Sequence, residues 1–230
     1  MNNDILIIIG AYGSGKSEYA INSAWQLKKH GKPVTLVDLD VVNPYFRSRQ
    51  VREEFASQGI VVIAPDGEYS HADMPMLSPR IMGAVEDYSR IPVLDVGGDP
   101  AGCRTLARYV QNINKRGYQL KLVINTKRPF TSDLDGILKM LEELEFSSRL
   151  KVTELICNTN LMEYTDQETV IQGIELIKQV ADELNLKFSE YLVMEKYADR
   201  IPENLLGKNR VLLQYYLNKP WEPTRVKGVI

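Results

Sequence analysis

The feature that most constrains the fold is an apolar run, Ile5–Ile9, that leads directly into a glycine-rich segment. Residues 10–17 read GAYGSGKS and fill every fixed position of the pattern G-x-x-x-x-G-K-[S/T]. Glycines allow a backbone to fold around a phosphate with its N–H groups pointing inward. A helix is predicted over residues 18–29, and its partly positive N-terminus would face the same phosphate. The stretch predicts a phosphate-binding loop, against the alternative of an ordinary glycine-rich turn.

The residue types within this loop supply different contacts to a nucleotide. The Lys16 ammonium can reach the terminal phosphates, which makes it a candidate catalytic group. The Ser17 hydroxyl can ligate Mg²⁺. The remaining loop positions are predicted to surround the phosphates; they are Gly10, Tyr12, Gly13, Ser14 and Gly15.

The composition fits one globular domain over residues 1–230, because 230 residues with 44% hydrophobic content can bury a full core. The 28 basic and 30 acidic residues argue against general binding to nucleic acid or to anionic membranes. Cys103 and Cys157 lie far apart in the sequence, which indicates a reducing cytoplasm and no C-x-x-C metal site. No apolar segment is long enough to span a bilayer, so no membrane insertion is expected.

Strand and helix signals alternate along the whole sequence. After the first strand and helix, strands are predicted over residues 34–37, 60–63, 91–94, 120–124, 152–157 and 186–193. Further helices are predicted over residues 44–58, 79–88, 105–114, 134–144, 170–184 and 211–217. This alternation predicts an α/β fold, a three-layer, doubly wound and mostly parallel sheet with helices on both faces. Ligands of such sheets bind at the carboxyl ends of the strands.

Two carboxylates, Asp38 and Asp40, follow the second predicted strand. Asp40 is predicted to orient or deprotonate an attacking water, or to hold a water bound to Mg²⁺, with Asp38 as a supporting group. The alternative is a helix N-terminus before Pro44, for which Asn43 is a suitable cap. The nearby phosphate loop favours the catalytic interpretation of Asp40.

A second acidic loop, D-V-G-G-D-P, begins at Asp95 after the fourth predicted strand. An apolar strand ending in aspartate is typical of a Mg²⁺-associated carboxylate beside a phosphate loop. Gly98 can bring a backbone N–H close to a γ-phosphate and so sense its hydrolysis. The alternative is a simple turn without a ligand.

Asparagines follow two later strands, Asn125 in N-T-K-R and Asn158 in N-T-N. A side-chain amide can bond to a purine edge with both its donor and its acceptor, but asparagine is also an ordinary turn former. Both interpretations stay open for Asn158. The guanine-specific pattern N-K-x-D is absent from both places, which favours adenine.

Together these motifs resemble the MinD/ParA/CobQ-type branch (SIMIBI class) of P-loop NTPases, which includes partition ATPases and the nitrogenase iron protein. The resemblance covers residues 1–205 and is specific for the superfamily rather than for a client. It implies ATP and Mg²⁺ as cofactors, with Lys16 and Ser17 binding the triphosphate and Mg²⁺. Asp40 would be the water-activating residue of the first switch, and Asp95 would belong with Gly98 to the second. It also implies that Gly98 senses the γ-phosphate and that Asn158 contacts adenine.

The implied function is an ATPase switch that drives or matures a client protein, with a homodimer as the implied assembly. Many members carry an additional lysine near the start of the loop, but residues 10–13 contain none, which argues against hydrolysis through that residue. Cys103 resembles a cluster ligand of the nitrogenase iron protein. A second such cysteine is absent, so a buried thiol is expected instead.

A small-molecule kinase or ligase using the same loop is the alternative function. Kinases of this size usually have an arginine-rich lid, whereas Arg80 and Arg90 are scattered along this chain. The loops around Asp40 and Asp95 therefore favour the switch.

Overall fold

The computed structural model describes residues 4–40, 52–64 and 79–217. Its strands are β1 (Ile5–Ile9), β2 (Val34–Leu39), β3 (Val61–Ile63), β4 (Ile91–Val96), β5 (Tyr118–Ile124), β6 (Glu154–Cys157), β7 (Lys187–Met194), β8 (Asn204–Leu205) and β9 (Lys208–Leu213). Its helices are α1 (Lys16–Lys29), α2 (Arg52–Ser57), α3 (Pro79–Glu86), α4 (Pro100–Cys103), α5 (Val110–Arg116), α6 (Leu134–Ser148) and α7 (Gln167–Leu184). Short 3₁₀ turns lie at Leu106–Arg108, Pro129–Thr131, Met162–Tyr164 and Glu195–Arg200.

The strands form one sheet in the order β3-β2-β4-β1-β5-β6-β7-β9-β8. All neighbours are parallel except the β8–β9 pair at the edge, which is antiparallel. Every residue of β2 and β4 is buried, as expected for central parallel strands covered on both faces. The predicted α/β fold with a mostly parallel sheet is confirmed.

Two hydrophobic cores lie on opposite faces of the sheet, because successive strand residues point to opposite sides. Ile7 belongs to the larger core, which packs against α6 and α7 through residues such as Ile137 and Ile174. Ile8 belongs to the smaller core, which packs against α1 and α2 through residues such as Ile21 and Phe55. The strand order places β1 near the middle of the sheet. The carboxyl end of β1 therefore lies near the centre of the row of strand ends.

The helix predicted over residues 211–217 is wrong. The chain forms β9 there, and Val211 lies beside Leu192 of β7 in a parallel pair. Apolar residues in this run suit either a strand or a helix, and the open edge of β7 decides between them. Residues 214–217 continue past the strand without a helix.

Several predicted boundaries also differ from the structure. The helix predicted over residues 105–114 is instead a 3₁₀ turn at Leu106–Arg108 followed by α5, which continues to Arg116. The second predicted strand continues past Asp38 to Leu39. The helix predicted over residues 44–58 is described only as α2, and its earlier part lies outside the described residues. Within the described part of the chain, no helix is long and apolar enough to cross a bilayer.

Candidate nucleotide site

The predicted phosphate loop connects β1 to α1, and the helix begins at Lys16 rather than at residue 18. Gly13 and Gly15 have φ angles of 76° and 87°, in the left-handed region that favours glycine. Gly15 is the residue immediately before the helix. The first turn of α1 therefore points its unpaired backbone N–H groups into the loop, as an anion site requires.

Lys16 and Asp40 form a buried ion pair beneath this loop. Their Nζ and Oδ2 atoms are 2.9 Å apart, and the two residues are only 6% and 7% exposed. Burial by itself lowers the pKa of Lys16, but the charges of Asp95, Asp40 and Asp38 outweigh this effect and raise the pKa above its ordinary value. The structure thus brings together the predicted phosphate-binding cation and the predicted catalytic carboxylate.

Ser17 and Asp95 each contribute a further oxygen atom to the site. Ser17 Oγ and Asp95 Oδ1 are both buried, and neither has a hydrogen-bond partner of suitable geometry among the described residues. Burial raises the pKa of Asp95 to about 6, while Lys16 and the nearby Ser17 hydroxyl oppose this rise. An oxygen-seeking divalent cation would satisfy both atoms, so these residues fit Mg²⁺.

Asp38 lies within β2 and holds the backbone of Asp40 by a hydrogen bond. Its Oδ1 atom accepts a hydrogen bond from the Asp40 backbone N–H at 3.1 Å. The second strand places Asp38 directly beside Asp95 of β4 in the parallel register. The two predicted acidic loops therefore start from neighbouring strands, which explains why their carboxylates converge.

Gly98 brings the second acidic loop into contact with the phosphate loop. A Cβ atom at Gly98 would lie 2.3 Å from the Gly10 carbonyl oxygen, so only glycine fits there. The next residue, Asp99, caps α4 by accepting the Gly102 N–H at 2.7 Å. Cys103 is buried at the end of α4, and burial raises the pKa of its thiol to about 12.

Two side chains from later loops contact carbonyl oxygens of the phosphate loop. Asn158 Nδ2 donates to the Ser14 carbonyl at 2.6 Å, and a Cβ atom at Gly15 would collide with this amide. Arg128 Nε donates to the neighbouring Gly13 carbonyl at 3.2 Å. Arg128 was not predicted from the sequence; a cation in the loop after a strand beside β1 is the signal that could have found it.

Asn125 has a bracing role between the loops that follow β5 and β6. Its Nδ2 donates to the Asn160 carbonyl at 3.2 Å, and its Oδ1 accepts the Lys127 backbone N–H at 3.0 Å. Thr126 and Thr159 are joined by their hydroxyls at 3.0 Å. Tyr12, at the tip of the phosphate loop, is 72% exposed.

The fold is similar to that of several solved structures. Cell division protein FtsY from Thermotoga maritima matches with a TM-score of 0.52 and 19% identity, covering 84% of this chain and 63% of that chain. The signal recognition particle receptor FtsY from Elizabethkingia anophelis in complex with GDP matches with a TM-score of 0.55 and 15% identity, covering 84% and 57%. The chain has the P-loop NTPase fold.

A third neighbour is the signal recognition particle 54 kDa protein from Aeropyrum pernix K1 in complex with GDP, with a TM-score of 0.52, 19% identity, and coverage of 81% and 41%. The chain spans less than two thirds of the length of these neighbours. They belong to the SIMIBI class of P-loop NTPases, whereas the closer MinD/ParA-type relationship stays a prediction. No protein-family model and no curated protein matches the chain.

Proposed function

We propose that this protein binds Mg²⁺ and a nucleoside triphosphate, hydrolyses the nucleotide slowly, and uses the change to switch a partner protein. The observation that carries the proposal is the Lys16–Asp40 pair at 2.9 Å, held beneath a phosphate loop of the required sequence. Ser17 and Asp95 lie beside this pair with unsatisfied buried oxygens. A cation, a carboxylate suited to activating water and two oxygen atoms suited to a metal ion therefore support the proposed site.

Each residue has a definite role in the proposed reaction. Lys16 leaves Asp40 for the terminal phosphates, and Asp40 then accepts the proton of the attacking water or orients it. Gly98 offers its backbone N–H to the γ-phosphate and loses that contact after hydrolysis. Ser17 and Asp95 would hold Mg²⁺, which neutralises charge on the phosphates when it is bound.

ATP is the proposed nucleotide, because the guanine-specific pattern N-K-x-D is absent. The solved neighbours with GDP make GTP the competing choice. The Asn158 amide donates to Ser14, so its oxygen and its second N–H are what it can offer to a base. A direct comparison of the two nucleotides is therefore part of the test.

Calorimetry with Mg²⁺ and ATP, ADP or GTP tests the binding step. We expect Lys16→Ala to abolish or strongly weaken binding, because the variant loses the phosphate-binding ammonium. Lys29→Ala, at the exposed end of the same helix, is the matched control and should bind as the wild type does. If the wild-type protein binds none of the three nucleotides, the proposal is wrong.

The switch is distinguished from a kinase or ligase by turnover without an acceptor and by partner capture. A switch hydrolyses nucleotide alone and retains a partner only in its triphosphate-bound form. We expect Asp40→Asn protein to capture such a partner from native extract and Lys16→Ala protein to lose it. Transfer of phosphate to a metabolite, with no nucleotide-dependent partner, would move the assignment to the alternative class.

A further inference from the structure

The candidate site has two chemically different ends, set by the strand order β2-β4-β1-β5-β6. On one side of β1, strands β2 and β4 supply Asp40 and Asp95. On the other side, the loops after β5 and β6 supply Arg128 and Asn158. A triphosphate with its terminal phosphate near Lys16 and the carboxylates must direct its nucleoside end toward β5 and β6.

Arg128 lies against the phosphate loop at this second end. Its Nε donates to the Gly13 carbonyl at 3.2 Å, and a Cβ atom at Gly13 would lie 2.9 Å from the same nitrogen. Within the described residues, Gly13 is the only hydrogen-bond acceptor of the Arg128 side chain. The terminal amino groups of this exposed guanidinium are therefore available to a ligand.

The backbone around Arg128 is held in place by its own loop. The Arg128 N–H donates to the Asn125 carbonyl at 3.2 Å, and the Arg128 carbonyl accepts the Thr131 N–H at 3.0 Å. The Thr131 hydroxyl also donates to the Asn125 carbonyl at 2.7 Å. The guanidinium thus projects from an ordered turn, which reduces the entropy lost when it contacts a ligand.

We propose that Arg128 is a nucleotide-binding residue whose guanidinium, anchored on Gly13, contacts the α-phosphate. This assignment rests on the proposed function. The planar guanidinium matches the geometry of phosphate oxygens. Because Nε donates to the Gly13 carbonyl, the two terminal nitrogens remain to donate to phosphate oxygens. Because Arg128 lies on the nucleoside side of the site, we assign it to the α-phosphate rather than to the γ-phosphate. Nucleoside diphosphates and triphosphates both carry an α-phosphate, so both should make the contact.

The test compares affinities for Mg²⁺ with ADP, ATP, GDP and GTP in the wild type, Arg128→Ala, Arg128→Lys and Arg128→Gln. We expect Arg128→Ala to weaken the preferred diphosphate and triphosphate by the same factor, about tenfold, because one charged hydrogen-bond pair is lost. Lysine should restore part of the affinity. Glutamine can still donate to the Gly13 carbonyl but carries no charge, so it should behave like alanine.

Salt dependence provides a second readout that a purely structural brace would not change. Affinity of the wild type should fall more steeply with added salt than that of Arg128→Gln. Lys127→Ala is the matched control, because Lys127 is the adjacent cation and donates to Gln172 instead of to the loop.

Wild-type affinity in Arg128→Gln would show that the residue only braces the loop and would overturn the assignment. A loss confined to triphosphates, or no loss in Arg128→Ala, would overturn it as well. Those outcomes are distinct from failure of the proposed function, in which the wild-type protein binds no nucleotide at all.

Discussion

The carboxylate of Glu18 accepts the backbone N–H of Leu217 at 2.8 Å. The same carboxylate accepts the Tyr216 N–H at 3.1 Å, so the first turn of α1 holds residues that are almost two hundred positions away. Asn22, one turn further along α1, exchanges two hydrogen bonds of 2.9 Å with the backbone of Gln214. The end of the described chain is therefore fastened to the helix that follows the phosphate loop.

Glu18→Ala should lower the free energy of unfolding by about 2–3 kcal/mol, because two partly or fully buried N–H groups lose their acceptor. Urea unfolding measures this change, and hydrogen exchange should show faster exchange at Tyr216 and Leu217. Glu168→Ala, an exposed glutamate in the first turn of α7, is the control. Equal effects of the two substitutions would contradict the structural role of Glu18.

Asp40→Asn should retain nucleotide but hydrolyse it more slowly, by on the order of 10²–10⁴-fold, because asparagine cannot accept a proton from water. Single-turnover hydrolysis and calorimetry on the same protein separate the two effects. Asp135→Asn on the exposed surface of α6 should leave both unchanged. Turnover of Asp40→Asn at the wild-type rate would make Asp38 or a partner's residue the better candidate.

Gly98→Ala should weaken nucleotide binding, because its methyl group would lie 2.3 Å from the Gly10 carbonyl oxygen and must displace the phosphate loop. Calorimetry with the preferred nucleotide measures the loss. Gly83→Ala in α3 is the matched control, since no atom lies near its added Cβ and alanine favours the helix by about 1 kcal/mol. Normal nucleotide affinity in Gly98→Ala would show that this approach is not needed for binding.

A charged cluster on β5, β6 and β7 is centred on Glu154, which is 3% exposed. Its carboxylate lies 3.2 Å from Lys121 and 2.9 Å from Lys187, and it accepts the Ser189 hydroxyl at 2.8 Å. Burial by itself raises the pKa of Glu154, but these partners outweigh it and lower the pKa below its ordinary value of 4.5.

Glu154→Gln should reduce the free energy of unfolding by about 1–3 kcal/mol at pH 7. The lowered pKa of the folded state means that ionised Glu154 stabilises the protein above pH 4.5, and that this stabilisation is lost as the pH falls through the folded-state pKa. The difference in the free energy of unfolding between the wild type and Glu154→Gln should therefore shrink as the pH falls below 4.5. Urea unfolding of both proteins at pH 7 and near pH 4 checks it, and a constant difference would contradict the ionic role.

Local sequence was sufficient for the strand, loop and helix around Lys16. The pattern of residues 10–17 specifies backbone geometry and charge within a few neighbouring positions, so no distant contact is needed to recognise it. Alternating apolar runs likewise predicted the α/β class. The strand at residues 208–213 was missed because its partner, β7, is chosen by tertiary packing and leaves no local signal.

The sequence by itself determined the phosphate loop, the alternation of strands and helices, and the acidic residues at the strand ends. Only the tertiary structure decided that Lys16 pairs with Asp40, that Arg128 lies on Gly13, and that Glu18 holds Leu217. Periodicity specifies the type of an element where the apolar pattern is long enough to distinguish a helix from a strand, because it reflects contacts between near neighbours. Strand order and register depend instead on packing over the whole sheet, which no short stretch of sequence contains. Because order and register determine which distant side chains meet, these contacts could be read only from the tertiary structure.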